Sequence, residues 1–98
     1  MTATEKLEAM EQKERMYNQA RGRCKYCNKA LTFGDAQLAH RIPKHKKYLK
    51  KYGAVIIHHP LNMVITCDKC NSKALLDPAT NPIQATELVE EMWQDMER

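Results

Sequence analysis

Four cysteines in two closely spaced pairs are the residues of this chain best suited to hold a metal ion. The first pair is Cys24 and Cys27, the second is Cys67 and Cys70, and two residues separate the members of each pair. Four thiolates bind zinc tetrahedrally, and a two-residue gap lets both sulfurs of a pair face one ion. Because four sulfur ligands leave no open coordination position, we predict a structural zinc site and not a catalytic one.

Two disulfides are the alternative use of these cysteines. The first 15 residues are charged and lack the apolar segment of a signal peptide, so we expect a chain that is not secreted and keeps its thiols reduced. Paired cysteines in a reducing compartment favour metal ligation. No stretch of the sequence is apolar enough for a membrane span. We therefore expect a cytoplasmic protein that does not contact a membrane.

Three further polar residues have side chains suited to proton transfer and cation binding. Neutral imidazole, with an ordinary pKa of about 6.5, makes His40 a candidate general base at neutral pH. The amide oxygen of Asn71 suits a hard cation such as magnesium. Singly, each residue also has a structural interpretation: His40 as a core histidine, Asn62 as a turn residue and Asn71 as a local cap.

Short elements must position these side chains. The sequence predicts a helix over residues 2–20 that begins with a capping box at Thr2, and an apolar face that includes Leu7 and Met10. Strands are predicted over residues 37–42 and 62–66, and a basic helical segment over residues 44–52. Residues 55–57 are predicted as a short strand or a buried segment.

Two helices complete the prediction, over residues 68–76 and 83–96. The last is amphipathic, and its expected buried residues are Ile83, Leu88, Met92 and Trp93. Helical spacing directs Asn71 and Leu75 toward the apolar layer. The strand with His40, the strand after Asn62 and the helix begun at Asn71 form a ββα unit, in which we expect His40 and Asn71 to face one cleft.

Three short runs carry a family resemblance: AHRIP at 39–43, HPLN at 59–62 and CDKCNSK at 67–73. Together they resemble the HNH endonucleases of the ββα-metal superfamily, within the zinc-stapled subgroup with two C-x-x-C pairs that is similar to endonuclease VII. The resemblance covers about residues 24–76. It implies an α+β fold, namely a small ββα-metal (HNH, or His-Me finger) domain with a structural four-cysteine zinc site and flanking helices.

The resemblance also implies a function and site residues. The chain would be a metal-dependent DNA endonuclease, a hydrolase of phosphodiester bonds, encoded by a bacterium or a phage. His40 would be the general base, Asn62 would hold the loop that orients His40, and Asn71 would bind the catalytic ion, Mg²⁺ or Mn²⁺ or a similar divalent ion. His59 is a further candidate ligand of that ion.

One position departs from the family pattern. Many members carry an aspartate or histidine just before the base as a second metal ligand, whereas this chain has Ala39. Candidates for the second ligand are Asp35, His45, His58 and His59. The alternative is a non-catalytic, zinc-dependent DNA-binding or adaptor module with a degenerate HNH site.

Basic residues cluster beside His40, and we predict that they contact DNA phosphates. They are Arg41, Lys44, Lys46, Lys47, Lys50 and Lys51. The net charge of +4 permits a nucleic-acid partner. The length of 98 residues predicts one domain, 1–98, with a core over about 24–76 and helical extensions over 2–20 and 83–96. The terminal helices are a candidate surface for a homodimer.

Overall fold

A two-stranded antiparallel sheet carries His40 at the end of one strand. The computed structural model describes residues 2–97, so the two ends of the predicted domain, Met1 and Arg98, lie outside the described residues. Strand β1 (Gln37–His40) pairs with strand β2 (Met63–Thr66), with Gln37 opposite Thr66. Both strands begin within one residue of their predicted positions.

Among residues 2–97, four α-helices and two 3-10 helices accompany the sheet. They are α1 (Ala3–Gln19), α2 (Lys46–Tyr52), α3 (Ala54–Ile57) and α4 (Pro82–Met96), with 3-10 helices at Pro60–Asn62 and Asp68–Ala74. This combination of helices with one small sheet is the α+β class that the sequence predicts. Within residues 2–97, no helix has the length and apolar character needed to cross a membrane.

Helix α1 begins as its capping signal predicts, but its apolar face does not pack. The Thr2 hydroxyl accepts a hydrogen bond of 3.1 Å from the backbone N–H of Glu5. None of the residues of α1 is buried, and Leu7 and Met10 are 57% and 59% exposed. Leu7 and Met10 of the predicted apolar face are therefore open to solvent. The Tyr17 hydroxyl, which donates to the Leu31 carbonyl at 2.6 Å, attaches the end of the helix to the rest of the fold.

Residues 55–57 form part of helix α3, so the strand prediction is wrong; the alternative, a buried segment, is confirmed for Ile56 and Ile57 but not for Val55, which is 67% exposed. Gly53 has a φ of +89°, a conformation that L side chains rarely adopt, and it ends α2 by donating to the Leu49 carbonyl. The chain turns there and starts a new helical turn. Ile56 and Ile57 are fully buried as a result.

The segment after Cys67 is a 3-10 helix that ends at Ala74, shorter and tighter than the predicted α-helix. Its first turn is closed by a 3.2 Å bond from the Cys70 N–H to the Cys67 carbonyl. Leu75 follows it in extended conformation and is 55% exposed, and Asn71 is exposed too. The expectation that both face the apolar layer is wrong, because three residues per turn do not keep α-helical spacing.

The main core lies between α2, α3 and α4. Its buried members are Ile42, Tyr48, Ile56, Ile57, Leu88 and Met92. In α4 the buried residues are Ala85, Leu88 and Met92, at helical spacings of three and four. Ile83 and Trp93 lie off that stripe and are 69% and 51% exposed, so their predicted burial is wrong.

Candidate functional site

The four cysteines, distant in sequence, converge on one point. Their sulfur atoms all lie within 4.8 Å of one another, and the Cys27 and Cys67 sulfurs are 3.8 Å apart. A zinc ion with Zn–S bonds of about 2.3 Å requires tetrahedral S···S distances of about 3.8 Å. All four cysteines are free, and a disulfide needs sulfurs about 2.05 Å apart. The cluster therefore fits a structural zinc site, as the spacing predicts, and not the disulfide alternative.

Backbone hydrogen bonds shape the first cysteine loop and attach it to the sheet. The Asn28 N–H donates to the Cys24 carbonyl at 3.0 Å, and Asn28 adopts a φ of +62°. The Lys25 N–H donates to the carbonyl of Ile65 in β2 at 2.9 Å. This bond brings the first pair of cysteines to the end of the strand that leads into the second pair.

The pKa values of the thiols are shifted in different directions, because each thiol affects its neighbours. Burial raises the pKa of Cys24, but backbone N–H groups, that of Cys27 foremost, outweigh burial and lower it to about 6. Burial and the neighbouring sulfurs raise the pKa of Cys70 to about 12. Four thiolates in this space repel one another, so a divalent cation is the group that stabilises them together.

His40 and His58 form a pair of facing imidazoles, called the imidazole pair below. The Nε2 atom of His40 lies 3.4 Å from Nδ1 of His58, and the rings meet edge to face with centroids 5.4 Å apart. Both residues are half-buried. Burial, with smaller contributions from His58 and Lys44, lowers the pKa of His40 to about 4. His40 is therefore neutral at physiological pH and able to accept a proton.

Asn62 connects the two segments that carry the imidazole pair. Its fully buried carboxamide accepts a hydrogen bond from the Ile42 N–H at 2.8 Å. It donates to the carbonyls of Ile42 and Ile57, at 3.1 and 2.8 Å. Ile42 follows His40 by two positions, and Ile57 immediately precedes His58. These contacts join the segment after His40 to the segment before His58, and the role of Asn62 in orienting His40 stays a prediction.

His59 has a structural environment instead of a metal-binding one. Its Nδ1 accepts the Leu61 N–H at 3.0 Å, and its Nε2 lies 3.2 Å from a carboxylate oxygen of Asp95 in α4. Both ring nitrogens are thus engaged, and the side chain is 7% exposed. The prediction of His59 as a candidate ligand of the catalytic ion is wrong for this reason.

Asn71 and His40 do not meet across one cleft as predicted. The Asn71 amide donates to the side-chain oxygen of Gln37, at the far end of β1 from His40. Residues three apart on a strand point to opposite faces of the sheet, so Gln37 and His40 project in opposite directions. Asn71 therefore lies over the Gln37 face, and the imidazole pair lies on the other.

Two residues beside Asn71 that could offer oxygen ligands to a cation, Gln37 and Asp68, were not predicted from the sequence. Gln37 donates to the Asp68 carboxylate at 2.9 Å, and Gln37 also accepts from Asn71. A cleft of about 380 Å³ is lined by Asp35, Gln37 and Asp68 among others. Asp35 was among the predicted candidates for the second ligand. Asp68 carries a signal in the sequence, as the acidic residue between two metal-ligand cysteines, whereas Gln37 becomes visible only through the strand register.

The predicted DNA-contact residues separate into two groups. Arg41 is half-buried, and its backbone N–H and carbonyl bond to the Asn62 carbonyl and the Leu76 N–H, both at 2.7 Å. The lysines are exposed: Lys44, Lys46, Lys47, Lys50 and Lys51. Tyr48 packs into the core, so the lysines of α2 form a solvent-facing basic surface over a buried aromatic side chain.

Comparison with known proteins gives one partial match. The ferric uptake regulation protein of Helicobacter pylori (strain J99) is 34% identical to this chain over 47 residues, which are 48% of this chain and 29% of that protein. No protein-family model matches the chain. No solved structure matches it significantly either. The chain therefore spans less than a third of the length of the relative that it resembles.

Proposed function

We propose that this chain is a metal-dependent DNA endonuclease of the HNH type, in which His40 accepts the proton of an attacking water. The observation that carries this proposal is the buried Asn62 carboxamide, whose hydrogen bonds fix the segments before His58 and after His40. Burial of the Asn62 amide costs desolvation free energy. Its hydrogen bonds to the main chain offset this cost. The effect of these bonds is to hold two accessible imidazoles in fixed positions.

The charge around the imidazole pair suits a phosphodiester substrate. Lys44 is exposed and close enough to lower the pKa values of both His40 and His58. The lysines of α2 follow Lys44 directly in the chain. The lysines would neutralise a nucleic-acid backbone on this surface, beside a ring that remains uncharged at neutral pH and so keeps one nitrogen free to accept a proton.

Oxygen-bearing side chains that suit a divalent cation cluster on the Gln37 face, opposite to His40, so a cation bound there would not reach a phosphate that contacts His40. These side chains are Asp35, Gln37, Asp68 and Asn71. Thr66, which lies opposite Gln37 in the sheet register, is fully buried and its hydroxyl has no hydrogen-bond partner among the described residues. Directly opposed residues share a face, so this hydroxyl supports an additional partner, water or ion, on that face. Carboxylate, carboxamide and hydroxyl oxygens suit magnesium or manganese.

The reaction follows from these groups. Water oxygen forms a bond to phosphorus while the bond from phosphorus to the 3′ oxygen breaks, and the electron pair leaves with that oxygen. The proton of the water passes to His40, and the departing oxygen takes a proton from solvent. A divalent cation that binds the phosphate itself on the His40 face would stabilise negative charge on the phosphate oxygens. Lys44 adds a fixed positive charge beside the base.

Cleavage of supercoiled plasmid DNA by the zinc-loaded chain tests the proposal. With magnesium or manganese we expect nicking, and we expect His40→Ala to lower the rate by roughly 100-fold or more, because a positioned general base contributes about that factor. Gln94→Ala is the control, since Gln94 is an exposed residue of α4 with no assigned role. Zinc content and urea unfolding would establish that both variants fold. Equal rates for His40→Ala and wild type would contradict the proposal.

A second candidate is a zinc-dependent DNA-binding module without catalysis. Ala39 is buried and carries no ligand atom, and Asn71 lies over the sheet face opposite to His40. The partial relative is, by its name, a regulator of ferric uptake, which supports a regulatory role. In this case the wild type binds DNA without nicking it under any divalent ion.

Measurement of DNA binding at several salt concentrations tests the basic surface of α2 for both candidate functions. We expect the substitution of Lys46, Lys47, Lys50 and Lys51 by glutamine to flatten the salt dependence of binding, by about 0.9 in slope for each phosphate that is no longer neutralised. Glutamine at four other exposed lysines makes the same charge change elsewhere, at Lys6, Lys29, Lys69 and Lys73. Equal slopes for the two variants would show that α2 does not touch phosphate.

A further inference from the structure

The imidazole pair is held from both ends of the chain. The side chain of Gln12 in α1 donates to the His58 carbonyl at 2.8 Å. The next residue, His59, pairs with Asp95 in α4 and caps the following 3-10 helix. Asn62 fixes the residue before His58. The backbone that presents His58 to His40 therefore has partners in both terminal helices and in the core.

The contact between the rings selects which nitrogen carries a proton. Two neutral imidazoles can share one hydrogen bond only if one nitrogen donates and the other accepts. If His40 Nε2 donates to His58 Nδ1, both rings carry their proton on Nε2, the intrinsically favoured tautomer of neutral histidine. The reverse direction requires the less favoured tautomer in both rings. The geometry therefore favours donation from His40 Nε2.

We propose that His58 is a positioning residue that fixes the His40 ring with its proton on Nε2, which leaves Nδ1 as the atom that accepts a proton. The catalytic role of His58 rests on the endonuclease function proposed above. The position of the proton on the His40 ring does not depend on that function. His58 touches neither water nor phosphate in this role, and acts through the orientation of His40.

The hydrogen bond between the two rings persists when His40 accepts a proton. When Nδ1 of His40 takes a proton from water, the ring becomes an imidazolium and its Nε2–H still donates to His58 Nδ1. The hydrogen bond therefore keeps the orientation of the ring in both protonation states. His58 and Lys44 both lower the pKa of His40, which favours return of the proton to solvent.

Nitrogen NMR of the histidine side chains in the zinc-loaded full chain tests the ring state at neutral pH. We expect a proton on His40 Nε2 and a bare Nδ1 on both rings. In His58→Phe, which has no acceptor, the His40 Nε2–H should exchange with solvent up to about tenfold faster, because its hydrogen bond is absent. His58→Asn places an amide oxygen near the position of Nδ1 and should restore the slow exchange. Gln94→Phe, at an exposed position of α4 with no assigned role, is the control.

Three results would overturn the inference. One is a proton on His40 Nδ1. The second is binding of cobalt(II) by both rings while the cysteine site is filled with zinc, since two bare nitrogens about 3.4 Å apart also suit a metal ion. The third is unchanged exchange in His58→Phe, which would refute the positioning role.

Plasmid nicking adds a separate readout. We expect His58→Phe to lower kcat roughly tenfold while KM changes less than about twofold, and His58→Asn to recover most of kcat. A wild type that does not nick DNA would reject the endonuclease and leave the NMR result to decide the ring state. A wild type that nicks DNA, with kcat unchanged in His58→Phe, would reject the positioning role alone.

Discussion

Asn62 directs all three of its observed side-chain hydrogen bonds to the main chain on either side of the imidazole pair. The donor and acceptors are Ile42 and Ile57, which are fully buried, so water cannot replace the amide. A turn residue would not need this environment. At the scale of single residues, the positions of His40 and His58 therefore depend on a third residue that contacts neither ring.

Removal of the Asn62 amide should be strongly destabilising. We expect Asn62→Ala to lower the free energy of unfolding by at least about 3 kcal/mol, because each of three buried polar groups left unsatisfied costs roughly 1–3 kcal/mol. Urea unfolding of the zinc-loaded protein measures this. Asn18→Ala, at an exposed position of α1, should stay within about 0.5 kcal/mol of wild type. Equal losses in the two variants would contradict the role of Asn62.

The low pKa of His40 predicts a pH dependence with a definite sign. Since the folded pKa of about 4 lies below the ordinary value of 6.5, the unfolded chain binds the proton first as the pH falls. His40 therefore has no effect on stability above pH 6.5 and lowers it progressively between pH 6.5 and about pH 4. As the pH falls through that range, the unfolding free energy of the wild type should therefore decrease relative to that of His40→Gln.

An NMR titration of the His40 ring measures the same pKa directly. Replacement of Lys44 by glutamine should raise the pKa of His40, because Lys44 repels the protonated ring. Lys50→Gln removes the same charge from α2 and should leave the titration unchanged. A wild-type midpoint near 6.5 would show that burial does not act on this ring.

Helix α4 illustrates the scale of elements, where spacing decides burial and residue type does not. Met92 is fully buried in the core, and its neighbour Trp93 is 51% exposed although it is larger and aromatic. The helix also carries Asp95, which reaches His59 next to the imidazole pair. Its packing therefore supports both the core and one side of the candidate site.

Two substitutions in α4 separate these positions. We expect Met92→Ala to cost about 2–5 kcal/mol through the cavity that it leaves, and Trp93→Ala to cost less than about 1 kcal/mol because it empties no core space. Thermal or urea unfolding of both variants provides the comparison. A larger loss for Trp93→Ala would indicate that this side chain is covered by a partner, such as a second copy of the chain.

The whole molecule depends on the cysteine cluster, because it joins segments 40 positions apart in sequence. A chain of this size gains limited stability from one hydrophobic core. The cysteines form a second cluster, with Leu31 packed against it, that is separate from the main core. A metal ion at this cluster would link the start and the end of the segment that contains β1 and β2.

Metal removal should accordingly unfold the domain. We expect one zinc per chain, loss of the cooperative thermal transition on chelation, and recovery when zinc is added back, because ligation and folding are coupled. Cys67→Ser should behave like the chelated protein. A native-like NMR spectrum after complete removal of zinc would show that the cluster is dispensable.

The sequence by itself determined the elements with strong local signals and the metal chemistry of the cysteines. The capping residue Thr2, the turn at Gly53 and the two-residue cysteine spacing act locally, so they could be predicted without knowing what packs against them. The resemblance carried by the run at 59–62 implied that Asn62 orients His40; the observed bonds of Asn62 to Ile42 are tertiary contacts, and that role stays a prediction.

Tertiary structure alone decided how the polar side chains are paired. His58 and His59 are adjacent in sequence, yet one faces His40 and the other Asp95, because the chain leaves α3 at that point. Strand register placed Gln37 under Asn71 and His40 on the opposite face. Such pairings arise from contacts between residues far apart in the chain, and local propensity carries no information about them.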